Sequence, residues 1–337
     1  MRKHYLMLNT KPLLYCAIEK TGSTFWRRIF QVVGEGHKKR PSEILADNAY
    51  TENGYQSLKE LPWDMVEETF TKTESIMFVR NPYQRLFSAW LDKLYSPNWI
   101  FWLVLGDEVE KTQRIVINKT SCAHDITFPE FIAHITNDVI YRKCVNSHFT
   151  PSFEHCWPCN FDINYIGKYE TLKEDTMFLL KQLELKVEFQ DFEQDAAKDA
   201  ILDAVNWVQT QKKDILNCRI SFKCALFKMW QRLKSRGIIG VEFELPYKTE
   251  DDALTVDYYH LYNDILEAHK KSDPTELRLN RERAFVLAIR SLSETLIKQV
   301  TDAYGIDFDM FEYDTDPLSM VTLETDSNNY DFFEQCV

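Results

Sequence analysis

The chain has 337 residues, 45% of them hydrophobic, which is enough for one large α/β domain or two smaller ones. Its 40 basic and 52 acidic residues give a formal net charge of −12, which argues against a protein that coats nucleic acid. An anionic substrate therefore needs a local basic pocket. The longest apolar runs, such as Trp99 to Gly106, are far shorter than a membrane span, and the N-terminal segment lacks the apolar core of a signal peptide.

The hydrophobic pattern predicts that strands and helices alternate along the chain. Strands are expected at residues 13–18, 75–79 and 161–166, and helices at residues 24–33, 82–95, 172–183 and 285–300. Thr171 and Glu174 fit a capping box for the third helix, and Gly305 is expected to end the last one. Residues 185–280 are helical in pattern, and the acidic tail, residues 315–337, is predicted to be disordered. The alternation predicts a three-layer α/β fold with a central parallel sheet.

The segment between the first strand and the first helix has the residue types of an anion-binding loop. It consists of Lys20, Thr21, Gly22, Ser23 and Thr24. Backbone N–H groups at a helix N-terminus attract phosphate, glycine permits close approach, and lysine and the hydroxyls add charge and donors. The order differs from the Walker pattern, because the lysine precedes the glycine, so a nucleoside triphosphatase is disfavoured. Taken alone, the segment is equally consistent with a helix cap beside an incidental lysine.

A second segment favours the anion-binding interpretation. Arg80 follows the second strand, and Ser88 lies eight residues further on, in the next helix. The apolar face of that helix excludes Arg85 and Ser88, which leaves both on its other side. An arginine fork and a serine hydroxyl can hold a second phosphate group. The alternative is a strand–turn–helix with a solvated arginine.

Four stretches of the sequence together resemble the Golgi carbohydrate sulfotransferases of the chondroitin 4-sulfotransferase type. They are Lys20 to Trp26, Arg80 to Ala89 (R-x-P-x-x-R-x-x-S-A), residues 146–175 with their His, Cys-x-Pro-Cys and Gly-Lys-x-Glu-Thr-Leu features, and the closing YGIDFDMFEYD. Two departures are visible. Phe149 stands where the family prefers tryptophan, and the cytoplasmic tail and membrane anchor with which the family begins are missing from this chain.

The resemblance implies a single catalytic domain, residues 1–314, with the sulfotransferase fold. Residues 185–280 are then a helical insertion that shapes acceptor specificity or a partner surface. It implies 3′-phosphoadenosine 5′-phosphosulfate as the sulfuryl donor and a glycosaminoglycan or glycoprotein glycan as the acceptor. Lys20, Thr21, Gly22, Ser23 and Thr24 are then expected to bind the 5′-phosphosulfate. Arg80 and Ser88 are expected to bind the 3′-phosphate. A Golgi-lumenal location is implied, with no nucleic-acid partner, no metal in the reaction, and membrane contact only through the missing anchor.

Sulfuryl transfer requires cations near the leaving phosphate and a base for the acceptor hydroxyl. Lys20 is the expected cation, by its place in the loop and by the resemblance. We expect His148 to be the base, because imidazole titrates near neutral pH and the surrounding block is family-like. His37, Glu170 and Glu174 are alternatives, although a capping role already accounts for Glu174.

The eight cysteines favour an oxidising compartment. Cys156 and Cys159 form a C-x-x-C that fits a redox pair, half of a zinc site with Cys218 and Cys224, or structural disulfides. Structural disulfides are the interpretation we favour, with the pairing left open. A sequon at residues 118–120 can carry a glycan if the protein is secretory.

Two other functions remain open at the level of sequence. A catalytically inactive relative that binds nucleotide or glycan is the first, and the intact Lys20, Arg80 and Ser88 argue against it. A small-molecule kinase is the second. It requires an acidic magnesium site, which the sequence does not reveal.

Overall fold

The structure is a computed structural model and describes residues 2–35, 40–51, 53–113, 122–143, 145–319, 321 and 330–336. The chain divides into two compact units, each built from separate stretches of sequence. Unit 1 comprises residues 1–85, 144–199 and 304–313, and unit 2 comprises residues 86–143, 200–303 and 314–337.

Five strands and sixteen α-helices make up the described chain. The strands are β1 Tyr5–Leu8, β2 Leu13–Cys16, β3 Tyr55–Ser57, β4 Glu74–Val79 and β5 Tyr165–Lys168. The helices are α1 Ser23–Glu35, α2 Trp63–Lys72, α3 Pro82–Trp90, α4 Trp99–Phe101, α5 Asp107–Gln113, α6 Phe128–Ile140, α7 Ser152–Cys156, α8 Leu172–Gln182, α9 Phe192–Thr210, α10 Lys212–Asn217, α11 Phe222–Ser235, α12 Glu250–Thr255, α13 Tyr258–Lys271, α14 Pro274–Arg290, α15 Glu294–Ala303 and α16 Gly305–Met310. Single π-helical segments, Leu91–Tyr95 and Trp102–Gly106, follow α3 and α4.

A mixed five-stranded sheet organises unit 1. Its strand order is β3-β1-β2-β4-β5, with β2, β4 and β5 parallel and with β1 and β3 added antiparallel at one edge. The predicted α/β class and its sheet with flanking helices are therefore confirmed. Because β2 and β4 are parallel neighbours, the loops that follow their carboxyl ends leave the same edge of the sheet.

The core of unit 1 lies between the sheet, α1 and α8. Trp26 and Phe30 of α1 pack on Tyr15 of β2, and Trp26 also packs on Phe78 of β4. Leu179, Leu180 and Leu183 belong to the same cluster. Burying each such side chain contributes about 1.5–3 kcal/mol, so α1 is fixed firmly against the strand that precedes it.

Unit 2 is helical and packs around α11. The buried rings of Phe87 and Trp90 contact both Phe128 and Phe333, which lies near the chain end. Lys228 on α11 is fully buried, and its ammonium group donates to the His124 carbonyl and the Gln335 side-chain oxygen, each at 2.7 Å. The helical prediction for residues 185–280 agrees with α9 to α13 and the start of α14.

Three predicted element boundaries are wrong. The strand expected at residues 161–166 is β5, Tyr165–Lys168, because Phe161 stacks on Phe70 outside the sheet. The helix expected at residues 285–300 is two helices, since α14 ends at Arg290 and the Ser293 hydroxyl accepts from the backbone of Leu296 at the start of α15. Gly305 begins α16 instead of ending a helix.

The capping box predicted at Thr171 and Glu174 is absent from this helix start. The Thr171 hydroxyl instead donates to the Asp175 carboxylate at 2.8 Å, and the same carboxylate oxygen accepts the backbone N–H of Lys168, also at 2.8 Å. Glu174 is exposed. The carboxylate of Asp175, one residue after Glu174, therefore links β5 to α8.

Part of the predicted tail lies among the described residues. Cys336 forms a disulfide with Cys224 of α11, and Phe332 is buried. Residues 322–329 of the tail and the sequon at residues 118–120 lie outside the described residues. Within the described chain, no helix has both the length and the apolarity that crossing a membrane requires.

Candidate active site

The predicted anion-binding loop connects β2 to α1. Lys20 and Gly22 both have left-handed backbone conformations, with φ of 69° and 89°. Glycine adopts this conformation without strain, so the turn explains Gly22 directly. The backbone N–H of Trp26 bonds to the Gly22 carbonyl, which closes the first turn of α1. The N–H groups of the three residues before Trp26 lie at the helix start, where no intrahelical acceptor exists.

The side chains of the loop divide into inward and outward groups. Thr21 is fully buried, and its hydroxyl donates to the Ile18 carbonyl at 2.8 Å, so this hydroxyl closes the turn. Lys20 is partly exposed. The Thr24 hydroxyl lies 3.0 Å from the phenol oxygen of Tyr50. The predicted donor-binding role of residues 20–24 stays a prediction, with Thr21 contributing through its backbone.

Arg80 lies beside this loop at the end of β4. Its guanidinium donates to the Lys20 carbonyl at 3.4 Å and stacks on the ring of Tyr169, with its central carbon 4.2 Å from the ring centroid. The structure thus brings Arg80 against the backbone of Lys20, and the role of Arg80 in binding the 3′-phosphate stays a prediction. Ser88 is partly exposed and lies on the part of α3 that belongs to unit 2.

Arg85 has a different role from the one its helical position suggested. It is only 2% exposed. Its guanidinium donates to the backbone carbonyls of Glu19 at 3.0 Å, Thr150 at 2.7 Å and Ser147 at 3.3 Å. Burial lowers the pKa of Arg85, with Asp307 opposing that shift. Arg85 therefore fastens the start of the anion-binding loop to the segment that carries His148.

His148 lies in the turn between Asn146 and Thr150. Its ring Nδ1 lies 2.7 Å from the Asn146 side-chain oxygen, which also accepts the His148 backbone N–H. The Asn146 carbonyl cannot donate, so Nδ1 carries the hydrogen and Nε2 is left as the basic nitrogen. This geometry is compatible with a base, although the role of His148 stays a prediction.

The closing motif fixes this neighbourhood from the far end of the chain. The Tyr304 hydroxyl donates to the Phe149 carbonyl at 2.6 Å. The buried Asp307 carboxylate accepts the first backbone N–H groups of α7, from Ser152 at 2.6 Å and Phe153 at 2.9 Å. Negative charge is favourable at a helix N-terminus, so Asp307 caps α7.

The alternative bases have distinct positions. Glu170 accepts the Asn81 backbone N–H and the Tyr313 hydroxyl, each at 2.9 Å, so its carboxylate already holds two elements together. Glu174 is exposed on α8. His37 lies outside the described residues.

The sequence interpretation missed a buried cluster beneath the loop, formed by His4, Glu19 and His155. Ser147 donates its hydroxyl to the Glu19 carboxylate at 2.9 Å. Burial lowers the pKa of His155 well below its ordinary value, and the charges of Arg85 and His4 lower it further. Burial also lowers the pKa of His4 to about 4, against the raising effect of Glu19. Both imidazoles are therefore neutral near pH 7. The sequence feature that could have pointed to this cluster is the position of Glu19 directly before Lys20.

The disulfide interpretation of the cysteines is confirmed. Cys16 at the end of β2 pairs with Cys156 at the end of α7, and the other described pairs are Cys122–Cys218 and Cys224–Cys336. Cys159 is an exposed thiol. The redox-pair and zinc alternatives for the C-x-x-C are wrong, because Cys156 is bonded to Cys16.

An aromatic groove of about 660 Å³ lies elsewhere in unit 1. Trp63 and Trp157 stack nearly parallel across it, with ring centroids 6.1 Å apart, and both are more than two-fifths exposed. Glu67, Asn160 and Asp162 supply polar groups to its lining. Exposed indole faces beside carboxylate and amide groups are able to stack on and hydrogen-bond a polar ligand.

The chain belongs to the Sulfotransferase family, whose sequence pattern matches residues 3–216. It is similar to carbohydrate sulfotransferase 11 of Rattus norvegicus, with 28% identity over 184 residues, which are 53% of this chain and 52% of that protein. It is also similar to carbohydrate sulfotransferase 9 of Homo sapiens (29% identity, 51% and 39% covered) and carbohydrate sulfotransferase 8 of Mus musculus (25% identity, 50% and 40% covered). The chain thus spans about half the length, or less, of these curated relatives. No solved structure matches it.

Proposed function

We propose that this protein is a carbohydrate sulfotransferase that moves a sulfuryl group from 3′-phosphoadenosine 5′-phosphosulfate to a glycan hydroxyl. The observation that carries the proposal is the meeting of two anion-binding features at one sheet edge. The β2–α1 loop places Lys20 next to a helix N-terminus, and Arg80 contacts the backbone of that same loop. Membership of the Sulfotransferase family and the names of the relatives support the same reaction.

The donor carries phosphate at both ends of its ribose, so it requires two anion sites. The N–H groups at the start of α1, with Lys20 and the hydroxyls of Ser23 and Thr24, suit the 5′-phosphosulfate. Arg80, whose plane is held by Tyr169, suits the 3′-phosphate. Ser88 is kept as a second residue for this phosphate on the sequence motif alone. This second site would distinguish the donor from nucleotides that lack the 3′-phosphate.

Transfer is an in-line displacement at sulfur. The acceptor oxygen forms a new bond to sulfur while the bond from sulfur to the phosphate oxygen breaks. His148 would take the hydroxyl proton, and the Lys20 ammonium would neutralise the charge that develops on the departing phosphate. This account of the reaction needs no metal ion.

We propose the aromatic groove as a contact surface for the acceptor. Sugar rings present apolar faces that stack on indoles, and the side chains of Trp63 and Trp157 are both more than two-fifths exposed. The carboxylates of Glu67 and Asp162 disfavour a densely sulfated chain there. A neutral stretch of glycan is the acceptor that this groove favours.

The disulfides and the relatives are consistent with the Golgi lumen as the site of action.

The decisive experiment measures transfer of labelled sulfate from the donor to a panel of glycosaminoglycans and glycoprotein glycans. Lys20→Ala should lower turnover by on the order of 100-fold or more, because one contact to a developing charge contributes about 3 kcal/mol. Lys181→Ala is the matched control, since Lys181 is an exposed lysine on α8. Wild-type transfer in the Lys20→Ala variant would remove that residue from the mechanism.

Nucleotide binding separates the enzyme from an inactive relative and from a kinase. Calorimetry should show adenosine 3′,5′-bisphosphate binding more tightly than AMP by roughly 10- to 150-fold, the value of one charge-assisted contact. Arg80→Ala should abolish that preference, whereas the exposed Arg278→Ala should keep it. Binding with this preference but without transfer to any glycan would favour the inactive relative. Equal affinity for both nucleotides would contradict the assignment of Arg80.

A further inference from the structure

Three metal-ligating side chains from distant parts of the chain converge beneath the anion-binding loop. His4 comes from the turn before β1, Glu19 from the loop itself and His155 from α7. One ligand atom from each lies within 4.8 Å of the others. The two rings contact each other edge to face, with centroids 4.4 Å apart. The carboxylate faces both of them, with Oε1 4.0 Å from His4 Nδ1 and Oε2 3.8 Å from His155 Nδ1.

The hydrogen bonding of His155 fixes which ring nitrogen carries its hydrogen. Nε2 lies 2.8 Å from the Ser147 carbonyl oxygen, which only accepts, so the hydrogen is on Nε2. With that hydrogen on Nε2, the ring presents Nδ1 as an acceptor toward another acceptor, Oε2 of Glu19. The His155 side chain is 1% exposed, and neither facing atom has a hydrogen-bond partner among the described residues.

Two buried acceptors that face each other are unfavourable unless a positive group bridges them. Each buried polar group left unsatisfied carries a desolvation penalty. The gap of 3.8 Å between these atoms is too long for a hydrogen bond and is wide enough for an ion to bind both with modest closure. The arrangement therefore indicates a bound cation between the carboxylate and the rings.

We propose that His4, Glu19 and His155 bind a divalent transition-metal ion of the zinc type. Two imidazole nitrogens and one carboxylate oxygen form a ligand set that zinc accepts, with a fourth position for water. In a tetrahedral site with bonds of about 2.0–2.1 Å, ligand atoms are about 3.4 Å apart, so small side-chain rotations complete the geometry. The Glu19 side chain is 24% exposed, which gives the ion an entry path.

The positive charge of Arg85 is compatible with this site. Its Nη2 lies 3.4 Å from Nε2 of His155, the ring nitrogen that does not ligate the ion in this proposal. Three backbone carbonyls accept hydrogen bonds from the same guanidinium, and their dipoles stabilise its positive charge. The Cys16–Cys156 disulfide holds the residue after His155 to β2, so part of the site is rigid before the ion binds.

The ion has a structural role in this proposal. It would join the N-terminal turn, the loop and α7, and it would fix Glu19, the residue before Lys20. The sulfuryl transfer described above does not pass through the ion, so metal binding is independent of the proposed function.

The full chain is first treated with a chelator and dialysed. Calorimetric titration with zinc chloride should then give one bound zinc ion per chain, and elemental analysis of the zinc-loaded protein should give the same ratio. Glu19→Gln, which keeps the shape of the side chain, and His4→Ala should each weaken zinc affinity by at least about 10–100-fold, the loss typical of even an outer-shell partner. His260→Ala and Cys159→Ala should bind like wild type, since they remove an exposed histidine paired with Asp257 and the exposed thiol.

Circular dichroism of the metal-free proteins shows whether each variant is folded, and the isosteric Glu19→Gln keeps the test valid if His4→Ala fails to fold. A melting temperature that zinc raises in wild type but not in Glu19→Gln would add support from a second measurement. Absence of stoichiometric zinc in the wild type would overturn the proposal. Equal zinc affinity in wild type and Glu19→Gln would overturn it as well.

Discussion

The buried guanidinium of Arg85 offers a quantitative test of how the loop is held. Arg85→Met keeps the apolar stem and removes the donors to the carbonyls of Glu19, Ser147 and Thr150. Hydrogen bonds to a charged group contribute about 1.5–3 kcal/mol each, so the three together contribute roughly 5–9 kcal/mol. Removing a buried charge recovers several kcal/mol of desolvation. The net expected loss in free energy of unfolding is about 2–4 kcal/mol.

Urea unfolding of the wild type and two variants measures this loss. The control is Gln84→Met, a substitution at the neighbouring, half-buried position of α3. A second measurement is the affinity for adenosine 3′,5′-bisphosphate, which should fall by on the order of tenfold in Arg85→Met because the Glu19 carbonyl is released. If the control loses stability while Arg85→Met stays within about 0.5 kcal/mol of the wild type, the reasoning about the carbonyl contacts is wrong.

Three further predictions concern single side chains. Burial lowers the pKa of Lys228 from 10.5 to about 7, so between these values the unfolded chain holds a proton that the folded chain has lost. The free energy of unfolding should therefore rise with pH in this range. Between pH 7 and 9.5 it should rise by about 3 kcal/mol more in wild type than in Lys228→Met. The same pH dependence in both proteins, measured by urea unfolding, would refute this prediction. His148→Ala should lower turnover by about 10²–10⁴ with unchanged nucleotide affinity, and joint loss of affinity and melting temperature would instead indicate a structural histidine. Replacing Cys16 and Cys156 by alanine should cost about 3–5 kcal/mol in urea unfolding, whereas Cys159→Ala should cost nothing measurable.

The strands that the sequence predicts well are those with a continuous apolar run. Leu13 to Cys16 and Ile76 to Val79 are buried on both faces, and such runs identify a central strand without knowledge of its neighbours. β1 and β3 have only four and three residues, and both depend on antiparallel pairing, β1 with β2 and β3, and β3 with β1. Strands this short show no clear alternation, and the pairing of β3 joins residues far apart in the sequence, so a local pattern does not predict them.

The residue types of the site were predictable, whereas their supporting contacts were not. The loop from Lys20 to Thr24 is recognisable because its chemistry is local: a left-handed glycine, a helix start and a nearby cation. Helical periodicity places Arg85 away from the apolar face of α3 and gives no sign of its burial. Its acceptors are backbone carbonyls more than sixty residues away, and backbone carbonyls leave no signal in a sequence.

The α7 cap at Asp307 also determines how late in synthesis unit 1 can complete its fold. Unit 1 takes residues 304–313 from near the end of the chain, and those residues supply Asp307 and the Tyr304 contact to Phe149. At roughly 5–20 residues per second, a ribosome needs about 8–30 s after residue 155 to reach Asp307. Until then α7 of the nascent chain lacks its cap, and the incompletely folded region must avoid aggregation unaided or with a chaperone. A fragment that stops at residue 216, where the family match ends, never acquires the cap.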